Sequence, residues 1–298
     1  MSDIGPWQHI VVHHAREAFG GTAAIARDWR ALNFTAAPDY ARAADQYERF
    51  LDLLRTSGAH IVDSALRTEH PALTLDAIYV RDASVMCARG AILCRMGKPQ
   101  RQAEPAALAD TYRALGIPIA GAIEAPGTLE GGDVTWLGPR LVAVGRGYRT
   151  NDEGIRQFRG LLGDTVDEVI TVPLPHHRGP GDVFHLMSII SPVDQNLAVV
   201  YSPLMPVPFR ERVLDLGYSL VEVPDEEFGS MGANVFALSP GRCLVVEGNP
   251  KTRAALECAG AEVLAYDGSE ISLKGGGGPT CLTRPIVPGV AAPGGLLR

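Results

Sequence analysis

The sequence predicts an α/β fold assembled from one recurring unit. Three observations predict it: five amphipathic helix-like stretches closed mostly by glycine, a short β-branched run after each, and a second, longer apolar run that opens on a polar residue. The unit returns at intervals of roughly 45 to 60 residues, the spacing expected of an internal repeat.

The helix-like stretches are 41–58, 105–116, 152–163, 208–217 and 251–260, and most end on the glycine that a positive-φ C-cap favours. Runs 59–64, 117–122, 167–173, 219–224 and 261–266 follow them and read as strands by length and β-branched content. The second runs are 77–87, 133–145, 184–200, 233–248 and 271–287. Hairpin turns are signalled at Leu137-Gly138-Pro139-Arg140, Pro192-Val193-Asp194-Gln195 and Ser239-Pro240-Gly241-Arg242. Each second run begins with chemistry-bearing residues at a similar place: Asp76 and Asp82, Glu130 and Asp133, His185, Asn234, and Cys281. If the units close into a ring, those positions converge on its axis and share one pocket.

A chain of 298 residues, 46% hydrophobic, can bury a sizeable core. Its formal charge of −7 and lack of a long basic run argue against nucleic acid or an anionic membrane as partner. A small cationic substrate suits it better. The opening MSDIGPWQHI carries no basic segment ahead of an apolar one, and no window approaches bilayer length, so a cytoplasmic location is expected. Five cysteines without a CxxC pair argue against a disulfide framework or structural zinc, and no metal or cofactor is expected.

Cys281 stands in Lys274-Gly-Gly-Gly-Gly-Pro-Thr-Cys. Four glycines are costly in backbone entropy, which suggests a backbone passing close to a ligand. The other four cysteines lie in apolar patterns and read as structural thiols. The glycine run is not followed by a helical pattern, which excludes a dinucleotide-binding fingerprint. His185 occupies the equivalent slot of its unit and supplies the proton-transfer partner that a cysteine nucleophile needs. The pairs His13-His14 and His176-His177 lack acidic partners at metal-ligand spacing and read as solvated or loop residues. Asp76 and Asp82, six apart, would share one face of an extended strand. In Thr128-Leu-Glu-Gly-Gly-Asp133 two glycines let two carboxylates enter a crowded site. Arg95, Arg149 and Asn151 complete the set, the arginines as planar forks for a carboxylate.

Together these segments resemble the guanidino-group-modifying enzyme superfamily, and within it the dimethylarginine dimethylaminohydrolases. The matching segments are Asp76-Ala-Ile-Tyr-Val-Arg-Asp82, Arg95 through Arg101, Leu129-Glu-Gly-Gly-Asp133, Arg149-Thr-Asn151, His185-Leu186, Ala233-Asn234 and Gly275 through Cys281. The resemblance implies a five-bladed pseudo-symmetric α/β propeller of ββαβ units, a single catalytic domain over 1–298, and attack by Cys281 on a guanidinium carbon. His185 would move the protons. Glu130 and Asp82 would grip the guanidinium edges with Asp76 in support, and Arg95 and Arg149 would hold the α-carboxylate. Asp133 and Asn234 join the substrate-binding set. N-methylated arginine would yield citrulline and an alkylamine. Arginine deiminases or dihydrolases, amidinotransferases and a non-catalytic arginine-binding relative are the alternatives, and self-association as a homodimer stays open. Two departures bear on specificity: Met187 stands where deiminases of this superfamily carry a carboxylate, and Arg81 where some dimethylarginine hydrolases carry an acid.

Overall fold

Every one of the five long helix signals forms a helix, and each is followed within three residues by a glycine at positive φ that turns the chain back toward a sheet. The helices are Tyr40–Arg55, Glu104–Ala114, Asp152–Leu162, Val207–Asp215 and Pro250–Cys258, and the glycines are Gly58, Gly116, Gly163, Gly217 and Gly260. The structure, a computed structural model, describes residues 1–64, 70 and 72–290, so the end of the expected 1–298 domain beyond Val290 lies outside the described residues.

Among the described residues fifteen strands form five three-stranded sheets. Four sheets take consecutive strands: β3 (Ser84–Cys87), β4 (Gly90–Leu93) and β5 (Ile119–Ala122); β6 (Val134–Gly138), β7 (Leu141–Arg146) and β8 (Glu168–Pro173); β9 (Ile190–Asp194), β10 (Leu197–Val200) and β11 (Ser219–Glu222); β12 (Phe236–Ser239), β13 (Arg242–Val246) and β14 (Glu262–Tyr266). In each, the first two strands form an antiparallel hairpin and the third returns through a helix to lie parallel beside the middle one. The fifth sheet joins the chain ends. Its β15 (Arg284–Ile286) runs antiparallel to β1 (His9–Val12), with His9 opposite Ile286, and β2 (His60–Asp63) lies parallel to β1. This is the expected five-bladed propeller, each blade packing an apolar helix face against its sheet.

Four local expectations need correcting. Strand β1 has no counterpart among the expected strands, because its unit is split between the two ends of the sequence. The hairpin turn of the third unit falls between Asp194 and Leu197, beyond the Pro192–Gln195 signal. Asp76 and Asp82 do not share a strand face: Asp76 sits in the 3₁₀ turn Leu75–Ile78, and Asp82 in the turn before β3. His13 and His14 are loop residues, one of the two expected readings, but they are buried there and not solvated. No helix among the described residues is long and apolar enough to cross a membrane.

Candidate active site

The hairpins all begin at one end of the propeller, and the residues just ahead of their first strands meet there. Asp82 precedes β3, the turn Glu130-Gly131-Gly132-Asp133 precedes β6, His185 caps the 3₁₀ turn before β9, Asn234 precedes β12 and Cys281 precedes β15. A cavity of about 240 Å³ opens between them, lined among others by Asp76, Asp82, Arg149, His185, Asn234 and Cys281. A larger depression of about 490 Å³ lies on the outer face beside His14, Glu48 and His60, and contains none of these residues.

His185 is held from below by acids. Its Nε2 lies 2.8 Å from Glu130 Oε2, and its Nδ1 is 3.8 Å from Asp82 Oδ1. Burial alone would drive the imidazole toward neutrality, but Asp82, Asp133 and Glu130 outweigh it and raise its pKa to about 9. Glu130 moves the other way. Burial opposes its charge, yet His185, Arg149 and Arg101 hold it down at about 2. The ring is therefore an imidazolium on an ionised carboxylate at neutral pH. Gly132 permits this geometry, since a Cβ there would stand 2.5 Å from His185 Nδ1 and 2.7 Å from Asp82 Oδ1.

The nucleophile candidate is set by the neighbouring blade. Asn234 Oδ1 accepts from the Thr280 amide at 3.1 Å and from Thr280 Oγ1 at 2.8 Å, while its Nδ2 donates to Cys281 Sγ at 3.6 Å. Burial, then the charge of Asp82, raises the Cys281 thiol to about 11, so at neutral pH these surroundings favour the thiol over the thiolate. The glycine run lines the cavity through Gly275, Gly276 and Gly277, as expected of a backbone close to a ligand, and it has a second reason. A Cβ at Gly275 would lie 2.0 Å from the Tyr79 hydroxyl and one at Gly278 would lie 2.4 Å from Asn234 Oδ1, so the backbone passes close to protein side chains that shape the site.

Of the nine expected site residues, the cavity wall gathers six, and three stand elsewhere. Glu130 is fully buried, outside the cavity wall where the expected grip on a substrate edge would place it, and its Oε2 lies 2.8 Å from His185 Nε2. Asp133 accepts from Thr150 Oγ1 at 2.6 Å and from the Leu186 amide at 3.0 Å, which ties the glycine turn to the residue after His185. Arg95 turns away and donates to the Gly127 carbonyl at 3.2 Å. Asn151 also serves the scaffold, capping helix Asp152–Leu162 through the Gly154 amide at 2.8 Å.

Three cavity residues escape the sequence reading. Lys98 Nζ lies 2.6 Å from Asp76 Oδ2 and 2.8 Å from the Leu32 carbonyl. Arg101 binds Asp82 Oδ2, both oxygens of Glu104 and the Tyr79 carbonyl, all buried. Tyr79 donates to the Ile271 carbonyl at 3.2 Å. Arg101 and Glu104 are spaced as an i,i+3 ion pair, the one sequence signal that could find them. Atoms of Asp82, Glu130 and His185 lie within 4.8 Å of one another, a spacing a metal ion would accept. Protein donors already meet them: Asp82 accepts from Arg101 and the Gly132 amide, and Glu130 from His185, Arg149 and the Lys98 amide, with lone pairs left over on each carboxylate. The cluster is an ion-pair network.

Known proteins carry the same architecture. The arginine deiminase family matches residues 75–216 and 209–287. A dimethylarginine dimethylaminohydrolase of Streptomyces coelicolor is 30% identical over 82% of this chain and 86% of its own length. The structure of the Pseudomonas aeruginosa dimethylarginine dimethylaminohydrolase complexed with citrulline superposes with a TM-score of 0.74 at 25% identity, covering 95% of this chain and all of that one. The N-terminal domain of ArgZ, a cyanobacterial arginine dihydrolase, shares the fold at a TM-score of 0.75 and 17% identity, over 95% of this chain and 99% of that one. Five blades and a shared cavity ahead of their hairpins thus accompany sequence similarity over most of the chain: the protein belongs to the arginine deiminase family of guanidino-group-modifying enzymes and stands near its dimethylarginine dimethylaminohydrolases.

Proposed function

We propose that this protein is a cysteine hydrolase that cleaves a C–N bond of an N-methylated arginine, giving citrulline and an alkylamine. The observation that carries the reading is one cavity lined by a thiol, an imidazolium and two carboxylates: Cys281, His185, Asp76 and Asp82. A guanidinium is a planar cation with N–H groups in one plane, and carboxylates recognise it by charge-assisted hydrogen bonds. In this reading Asp82 and Asp76 align it, with its central carbon against Cys281 Sγ. Arg149 takes the α-carboxylate.

Such a substrate also solves the ionisation problem. A unit charge about 4 Å away is worth about 4 kcal/mol at an effective dielectric constant of about 20. That corresponds to about three pH units, enough to bring a thiol at about 11 near the working range. Sulfur then adds to the guanidinium carbon, and imidazolium His185 protonates the departing amine. Neutral His185 next takes a proton from water as it attacks the thiouronium carbon, and release of the ureido product regenerates the thiol. Titration of the thiolate absorbance of Cys281, read before turnover with and without saturating arginine, the slower guanidinium, checks the first step. The midpoint is expected to fall on binding, and an unchanged midpoint contradicts substrate-assisted ionisation.

Met187 supports the choice of substrate. It is buried in the cavity wall two residues after His185, where it offers an apolar contact and no hydrogen-bond acceptor for an unsubstituted nitrogen. N-methylarginine should exceed arginine in kcat/KM by at least about tenfold. A guanidine panel read by mass spectrometry for citrulline, ornithine, ammonia and alkylamine tests this, and equal or faster turnover of arginine overturns the N-methyl assignment.

A further inference from the structure

Beneath the cavity a second buried charge pair touches the nucleophile segment, and the proposed reaction leaves it unused. Arg81 and Asp3 are both buried, and Arg81 Nη1 lies 3.2 Å from Asp3 Oδ1. Arg81 Nε donates to the Thr280 carbonyl at 3.0 Å, and the Arg81 amide donates to the Cys281 carbonyl at 3.1 Å. Arg81 thus holds both peptide units flanking the sulfur-bearing residue. Asp3 Oδ2 accepts from the Trp136 amide at 2.6 Å, which fastens the N-terminal segment to β6 in the second blade. A small cavity lined by Asp3, Arg81, Thr280 and Met187 adjoins this pair, and Met187 also lines the active-site cavity.

We propose that Arg81 is a positioning residue for Cys281, which clamps the 280–281 backbone and places a positive charge under the sulfur that Asp3 partly cancels. Burial makes the charge count, because few water molecules screen it. The other groups that face the thiol are Asp82, which opposes its ionisation, and the buried phenols Tyr79 and Tyr266. Asp76, Lys98, Arg101, Arg149 and His185 face it across the cavity, while Arg284 and Tyr112 face Arg81. Of these, Arg81 is the cation that favours the thiolate most. The arrangement makes the two partners antagonists: removing Arg81 disfavours the thiolate, whereas removing the charge of Asp3 unmasks Arg81 and favours it.

The test is the rate at which iodoacetamide alkylates Cys281 at a fixed pH below its titration midpoint, read on the Cys281 peptide by mass spectrometry in the full chain. Alkylation follows the thiolate fraction. Arg81→Met should slow it by about tenfold, Arg81→Lys should restore most of the rate, and Asp3→Asn should accelerate it severalfold. Opposite signs for the two partners are what loosened packing cannot produce. Rates that move in the same direction for Arg81→Met and Asp3→Asn, or stay constant in both, overturn the proposal. Should Arg81→Met fail to fold by circular dichroism, Asp3→Asn decides alone: acceleration supports the proposal, and slowing or no change overturns it. The readout requires no turnover, so its outcome is independent of whether N-methylarginine is the substrate.

Discussion

Replacing Cys281 with serine abolishes turnover and leaves the fold intact. The sulfur sits at the cavity wall, and its hydrogen-bonding contacts are Asn234 Nδ2 at 3.6 Å and Thr280 Oγ1 at 3.9 Å, both of which a hydroxyl can occupy. Packing is therefore nearly conserved. The chemistry is not, because a serine hydroxyl ionises far less readily than a thiol and no neutral base stands beside it while His185 is an imidazolium. Loss of a nucleophile of this kind costs a factor on the order of 10⁴ or more in kcat. Steady-state kinetics with circular dichroism and a thermal melt check both halves. Residual activity within about tenfold of the parent would mean that the sulfur does not carry the reaction.

Glu130→Gln should lower kcat by about 10² to 10³ while changing KM little. Glu130 is fully buried against His185 and outside the cavity wall, so its effect is expected to pass through the imidazole. Its carboxylate is one of three that keep the imidazole protonated up to about 9. The sign follows from that direction: with the charge removed, His185 loses its proton at a lower pH, toward the ordinary value of about 6.5. The basic limb of the kcat profile should move to lower pH with it. A glutamine can still accept the Lys98 amide that now reaches Glu130 Oε1 at 3.1 Å, so the turn should survive. An unchanged profile would remove Glu130 from the proton-transfer machinery, and a large rise in KM with kcat intact would return it to substrate binding.

The blades are legible in the sequence because helix, glycine and β-branched run recur in one order, and each of those signals is local. Convergence of Asp82, His185, Asn234 and Cys281 follows from their equivalent places in the repeat. What escapes is whatever depends on three-dimensional direction. Period-two alternation puts Asp76 and Asp82 on one strand face, but Asp76 lies in a 3₁₀ turn, where that period does not apply. Between Arg95 and Arg101 lie three cationic side chains, and spacing does not say which point inward. Arg101 and Lys98 do so, because Asp82 and Asp76 bind them there, while Arg95 follows its backbone bridge to Leu129 outward. The glycines of 275–278 suggest room for a ligand. Three of them do line the cavity, but they also make room for Tyr79 and Asn234, which arrive from other blades and are invisible to any local window.

Labelling with a guanidine-like electrophile such as chloroacetamidine, followed by peptide mapping, tests covalent chemistry at residue 281 most directly. One adduct per chain on the peptide containing Cys281, formed in step with the loss of activity and suppressed by N-methylarginine, is the expected result. Inactivation that tracks modification of another residue, such as the exposed thiol of Cys258, with Cys281 left unmodified, would contradict it.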